Sequence, residues 1–186
     1  MQLHDALYGR RSVRSYLPDP VAEDDLTYVI QAGTQAPSAM NEQPWAFTVI
    51  RNQDLLDRIS RQSKSFLLAE ESSGMPPSSF RNQLADPHFQ IFYHAPTLLV
   101  ISAITKNAWS AENCALAAQN VMLAAFSKGL GTCWIGFAEH WLQTDDGKTA
   151  LRIPHHYHPV APIALGHPKV EATPVPRRPA TISWRD

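Results

Sequence analysis

The chain has 186 residues, a length that suits one domain, 1–186, around a single hydrophobic core. Hydrophobic residues make up 44% and charged residues 18%, an ordinary globular balance that argues against disorder, and 15 prolines against 8 glycines point to many stiff connections. The formal net charge of −1 offers no broad field to a nucleic acid or an anionic membrane, no stretch nears the ~20 apolar residues that span a bilayer, and the polar start MQLHDALYGRR lacks a secretory h-region, so the cytoplasm is the expected location.

In chain order, a short helix is expected from about Gln2 to Gly9 and a firmer one from Ala22 to Ala36. In the second, Leu26, Val29, Ile30 and Gly33 fall at helical spacing, and Glu23, Asp24 and Asp25 favour its N-terminal dipole. The polar loop APSAMNEQP leads into WAFTVIR, which is β-rich and reads as a strand. A helix from Asp54 to about Ser65 follows. The stretch from Glu70 to Pro87 is rich in Ser and Pro and lacks a sustained period, so it reads as a mobile surface loop near a ligand site. APTLLVISAI is continuously apolar, as expected of a strand buried on both faces at the sheet centre.

The longest helical signal runs from about Ser110 to Lys128. It is rich in Ala and weakly charged, so it can pack on a sheet and on a second helix, including a partner's. Gly129 and Gly131 stop it, TCWIGF reads as a short strand, and VAPIALGHP reads as another. Mixed strands and helices make an α+β domain, and the tail after Pro168 reads as extended across a surface. Cys114 and Cys133 are too far apart for a CxxC metal motif and too few for a disulfide scaffold, so both read as small buried hydrophobes. His155, His156 and His158 sit in IPHHYHP with prolines on both sides and no regular element to aim them. They read as a surface loop, and no metal site is expected.

Four groups can carry chemistry. Arg10, Arg11, Ser12 and Arg14, in GRRSVRSY, place three guanidiniums and a hydroxyl together, donors suited to a phosphate. Arg177 and Arg178, in VPRRPA, form a second compact basic group that could close on the same anion. The loop Pro37-Ser38-Ala39-Met40-Asn41-Glu42-Gln43-Pro44-Trp45 stiffens Ser, Asn and Gln between prolines, where they can bond a heterocycle or a ribityl chain. In GLGTCWIGF, Gly129, Gly131 and Gly136 permit close backbone approach to a flat ring, although this is no GxGxxG fingerprint.

In this order the four groups resemble the nitroreductase-like flavoproteins. An RRSxR-like motif matches Arg10 to Arg14, and a PSxxNxQPW loop matches Pro37, Ser38, Asn41, Gln43, Pro44 and Trp45. An AxQNxxLAA helix before GLGxxWxG matches Ala117, Gln119, Asn120, Leu123, Ala124 and Ala125, then Gly129, Leu130, Gly131, Trp134 and Gly136, and the pair Arg177 and Arg178 closes the pattern.

The resemblance implies an α-β sandwich with a central mixed or antiparallel sheet, and a homodimer with FMN at its interface. Arg10, Arg11, Ser12 and Arg14 would hold phosphate and ribityl chain with Arg177 and Arg178, while Pro37, Ser38, Ala39 and Asn41 would reach the flavin from the other subunit. Cys133, Trp134, Ile135 and Gly136 would lie beside the ring, with backbone N–H groups able to stabilise its negative charge. The implied function passes hydride from NADH or NADPH through the flavin to a nitroaromatic, quinone or similar small conjugated acceptor. No side chain is expected to act as catalytic acid or base. The segment from Ser65 to His94 would shape substrate access. Rival readings are a flavin-dependent dehydrogenase or dehalogenase of a specialised substrate, and a non-catalytic flavin- or partner-binding protein of this fold. Intact arginine clusters argue against the last, because buried arginines need an anion.

Overall fold

Two alternating sets of side chains on one strand organise the structure. The computed structural model describes residues 1–69 and 78–185, and in it β2 (Thr97–Ala103) is buried along its whole length. Successive strand side chains point to opposite faces. Leu98 and Val100 therefore join one core cluster with Leu56, Ile59, Leu67, Trp141 and Leu142. Leu99, Ile101 and Ala103 join a second with Val29, Cys114, Ala117, Ala118 and Val121. A sheet filled on both faces needs helices on both faces.

The sheet has four strands in the order β1 (Trp45–Ile50), β2, β4 (His158–Gly166), β3 (Gly131–Trp134), and every pairing is antiparallel. On one face lie α2 (Glu23–Thr34) and α5 (Ser110–Ser127). Asn120 Nδ2 on α5 donates to the Ala32 carbonyl at 3.2 Å, and Gly33 lets the helices close, since a Cβ there would lie 2.8 Å from Val121. On the other face lie α3 (Gln53–Ala69) and α6 (Gly136–Leu142). The short α1 (Leu3–Gly9) meets α5 near Phe126, at the C-terminal end of α5. No helix among the described residues is long and apolar enough to cross a membrane.

β2 sits at the sheet centre as its apolar run requires, and both cysteines are buried and free. Other expectations need correction. The helix expected to end near Ser65 runs on to Ala69. The stretch from Glu70 to Pro87 is not a loop throughout: residues 70–77 lie outside the described residues, but Ser78–Ala85 is a helix, α4. Its Leu84 is fully buried against the core, and burial of that one residue outweighs a Ser- and Pro-rich context. TCWIGF is a strand only as far as Trp134. Ile135 then leaves the extended region (φ −105°, ψ 81°), and Gly136 opens α6, which buries Ala138, Trp141 and Leu142.

A further helix, α7 (Asp145–Leu151), was not anticipated. Thr144 caps it by accepting from the Gly147 N–H at 3.1 Å. Within IPHHYHP, His155 and His156 are exposed, with His155 Nδ1 at 3.0 Å from Asp145, whereas His158 is the first residue of β4. A Cβ at Gly147 would collide with the Trp141 carbonyl and lie 2.7 Å from Leu142 Cα, backbone atoms that cannot rotate away. Overpacking of this kind costs about 1–3 kcal/mol. Gly147→Ala is expected to lower Tm by roughly 3–10 °C in a thermal melt, and an unchanged Tm would show that α7 can slide.

Candidate functional site

The first basic group is carried to the edge of the sheet by its own backbone. Ser12 bridges Thr132 in parallel, and the Val13 N–H donates to the Thr132 carbonyl at 2.9 Å. The approach is close enough that a Cβ on Gly131 would lie 2.7 Å from Val13, so a side chain there would push the segment off β3. Two residues upstream, Gly129 (φ 73°) takes the left-handed position that ends α5, with its N–H on the Phe126 carbonyl and the Leu130 N–H on the Ala125 carbonyl. The two glycines thus end the helix and admit the arginine segment. Beyond Ser12 the chain stays paired: Leu17 N–H donates to His167 and Lys169 N–H to Ser15, which draws the start of the C-terminal tail alongside.

The result is a cleft of about 540 Å³ lined by Arg10, Arg11, Ser12, Arg14, Arg177 and the tail from Val170 to Val175. Guanidiniums outnumber carboxylates here. Glu171 is the one acidic residue in the lining, and neither ion pair among the described residues involves these arginines. Burial, then the charges of Arg177 and Arg11, pull Arg10 below its ordinary value, as expected of a guanidinium held partly out of water beside like charges. Arg11 turns its Nη1 back onto the Tyr8 and Arg10 carbonyls (2.7 and 2.8 Å), closing the end of α1, and its Nε is buried without a partner. Such a set of donors fits a doubly charged phosphate.

The floor next to this cleft is β3 and the turn after it. Cys133 is buried, and its thiol donates to the Trp134 carbonyl at 3.7 Å. Burial pushes it up, and Arg14, Ser12 and Arg10 pull it back in part. Ile135 is anchored by its N–H to the Pro162 carbonyl at 2.8 Å. A Cβ on Gly136 would meet nothing within 4 Å, so the backbone at the start of α6 faces open space. An exposed backbone turn beside a phosphate-sized cluster of arginines is a geometry that fits a flat ring carrying a phosphate tail.

Six non-glycine residues among those described have positive φ, and five of them fall in two turns: Met40, Asn41 and Gln43 in one, Tyr93 and His94 in the other. Each costs on the order of 1–3 kcal/mol and persists only where its surroundings over-determine it. In the first turn the Gln43 N–H donates to Ser38 Oγ at 3.0 Å, Gln43 Nε2 donates to Asn41 Oδ1 at 3.2 Å, and Asn107 Nδ2 donates to Glu42 at 3.0 Å. Asn113, buried in α5, accepts from the Ala39 N–H at 3.0 Å. Met40 at its tip is 93% exposed.

The second turn precedes β2. Gln90 Oε1 accepts from the Phe92 and His94 N–H groups, Ser60 Oγ accepts from the Ile91 N–H, and buried Lys64 donates to the Asp86 and Phe89 carbonyls.

Within one chain, then, Arg10, Arg11, Ser12, Arg14 and Arg177 line one cleft, while Cys133, Trp134, Ile135 and Gly136 line neither it nor the adjoining one and continue the chain from Thr132, which bridges Ser12. Pro37, Ser38, Ala39 and Asn41 line neither this cleft nor the adjoining 560 Å³ one between α1 and the end of α5, and Arg178 is exposed outside both. Sequence reasoning missed Asn113, which fixes the 37–41 loop through the Ala39 N–H. It carried a signal, a lone buried amide in an Ala-rich helix.

The Nitroreductase family model matches residues 7–167. A nitrobenzene nitroreductase from Ectopseudomonas oleovorans is 29% identical over 200 residues, covering 88% of this chain and 86% of that protein. A Methanothermobacter thermautotrophicus protein provisionally named NADH dehydrogenase/NAD(P)H nitroreductase is 28% identical over 173 residues, covering 90% of this chain and 78% of its own. The crystal structure of a nitroreductase with bound FMN from Bacteroides fragilis superposes with a TM-score of 0.86 at 28% identity, over 100% of both chains. With its arginine segment, central sheet and glycine turn all inside the matched span, the chain belongs to the Nitroreductase family.

Proposed function

We propose that this chain is an FMN-dependent oxidoreductase, active as a homodimer, that takes hydride from NADH or NADPH and delivers it to a nitroaromatic, quinone or related conjugated acceptor. The observation that carries this reading is the cluster of Arg10, Arg11, Arg14 and Arg177 without a carboxylate partner among the described residues, with an open backbone turn at Gly136 just past the strand it crosses. Arg10 and Arg177 would neutralise the phosphate, joined by Arg178 once the tail closes. Ser12 and Arg14 would hold the ribityl chain, and the backbone from Cys133 to Gly136 would lie against the ring. When bound, the flavin supplies hydride transfer and electron storage, so the protein's part is to bind, orient and limit water. That fits a site with no paired acid and base at hydrogen-bond distance.

The dimer has its own support. In one chain the strained loop with Pro37, Ser38, Ala39 and Asn41 lines neither arginine cleft, and a second copy would bring it there. Leu3, Leu7 and Tyr8 on α1, Tyr28 on α2 and Leu116 on α5 are exposed apolar side chains on neighbouring helices. Contiguous apolar surface of this kind marks an interface. α4, between α3 and the second strained turn, would border the acceptor's path.

Reconstituted protein should show a flavin band that bleaches on anaerobic addition of NADH or NADPH and returns with a nitroaromatic. A colourless protein that takes up no FMN would defeat the proposal, and reduction without nitroaromatic turnover would favour a specialised dehydrogenase or dehalogenase. Replacing both Arg10 and Arg14 with Ala removes two charge-assisted contacts worth about 1.5–3 kcal/mol each. The FMN Kd should rise by at least about a hundredfold, and unchanged affinity would reject the phosphate assignment. On dilution, flavin release and monomer formation should coincide in sedimentation and fluorescence, and a monomer that retains FMN would reject the shared site.

A further inference from the structure

We propose that Asn113 is a positioning residue of the cofactor site: through one buried hydrogen bond it sets the strained 37–43 loop in the shape that a second copy would present to the flavin. This rests on the flavin reading above and assigns a role to a residue outside every motif that supports that reading.

Little in the loop itself favours its shape. Met40, Asn41 and Gln43 stand at φ 52°, 55° and 49°. Asparagine tolerates the left-handed region, but methionine and glutamine persist there only where the surroundings over-determine them. Most of the loop's own bonds are weak constraints. The Gln43 N–H on Ser38 Oγ and Gln43 Nε2 on Asn41 Oδ1 stay inside the loop and are exposed. Asn107 reaches Glu42 from the body of the fold at 3.0 Å, again at an exposed site where water competes for both partners. The Ile104 N–H on the Pro44 carbonyl, at 2.7 Å, fixes the point where the loop ends but not its turn.

Asn113 supplies the missing constraint from beneath. It lies in the first turn of α5, is 2% exposed, and accepts the Ala39 N–H at 3.0 Å. Its own backbone N–H donates to the Trp109 carbonyl at 2.9 Å, so the acceptor is mounted on helical backbone. Ala39 opens a short 3-10 turn (Ala39–Asn41) directly before Met40, so this bond fixes the residue from which the strained run departs. The amide can face only one way. Its oxygen must meet the Ala39 N–H, which leaves Nδ2 buried and, among the described residues, without a partner. An unpartnered buried donor is costly, and a leucine of similar size would remove that cost. Stability alone therefore favours an apolar side chain at 113, and what the amide oxygen gains is the conformation of the loop. Ser38, Ala39 and Asn41, held by this bond, are the residues that a second copy would bring to the arginine cleft. A loop fixed before the ligand arrives lowers the ordering cost of binding.

The test is a double-mutant cycle on FMN affinity, measured by quenching of flavin fluorescence with the dimeric full chain. Asn113→Leu keeps the size of the side chain and removes the acceptor. It should raise the FMN Kd roughly three- to tenfold, the effect of one lost hydrogen bond passed on through the loop. Ala39→Pro removes the same bond from its other end: Ser38 is extended (φ −138°, ψ 152°) and Ala39 opens the 3-10 turn, a setting that accepts proline. In the Ala39→Pro background, Asn113→Leu should change Kd by less than about twofold, because the bond it breaks is already gone. A role in stability alone would move the melting temperature and leave the Kd in place. An unchanged Kd in Asn113→Leu overturns this proposal and leaves the flavin reading standing, and so do equal losses with alanine and with proline at 39. If Asn113→Leu does not fold, Ala39→Pro alone decides: a raised Kd supports the proposal and an unchanged one overturns it. Wild-type protein that binds no FMN overturns the flavin reading, and this proposal with it.

Discussion

A strand buried on both faces must be covered on both faces, and β2 imposes that condition on the rest of the molecule. Leu98 and Val100 need one helical layer, and Leu99 and Ile101 need another. Each fully buried side chain of this size contributes about 1.5–3 kcal/mol, so four in a row outweigh the local preferences of the segments recruited to cover them. α5 answers on one face with alanines that let it lie close. α3 and α6 answer on the other with Leu56, Ile59, Trp141 and Leu142. The same two-sided cover leaves the C-terminal end of α5 beside the edge of the sheet where β3 lies.

At that edge the physical problem changes from apolar burial to charge. The N-terminal segment crosses β3 at Gly131, and the tail returns beside it through the pairing of Tyr16 with Pro168. Chain ends far apart in sequence therefore deliver Arg10, Arg11, Arg14 and Arg177 to one cleft. Burial, then the charges of Arg177 and Arg11, hold Arg10 below its ordinary value, and the arrangement is unfavourable until an anion joins it. The strained turns at 40–43 and 93–94 belong to the same economy of structure. Both are held by buried amides, Asn113 and Gln90, whose side-chain oxygens accept from backbone N–H groups of the turns.

Much of this was legible in the amino-acid order because it depends on neighbours. The apolar run of β2, the acidic first turn of α2, the glycines after α5 and the compact arginine groups are local patterns with local physical causes. Where local and distant demands conflict, the local signal failed. Ser78–Ala85 looks like a loop by composition and is a helix because Leu84 has a core to enter, while TCWIGF looks like one strand and is split because α6 buries Ala138, Trp141 and Leu142.

The sequence by itself determined the α+β class, the central strand and the residue types able to hold a phosphate, since hydrophobic periodicity, turn chemistry and side-chain charge are properties of short segments. Only the tertiary structure decided that Arg177 stands beside Arg10, that Arg11 turns back to close α1, that the 37–41 loop lines neither arginine cleft in one chain, and that Asn113 holds the Ala39 N–H. Each of those is a meeting of residues far apart along the chain or a choice among rotamers. Such meetings are set by how the two layers pack on β2, and no window of neighbouring residues contains that information.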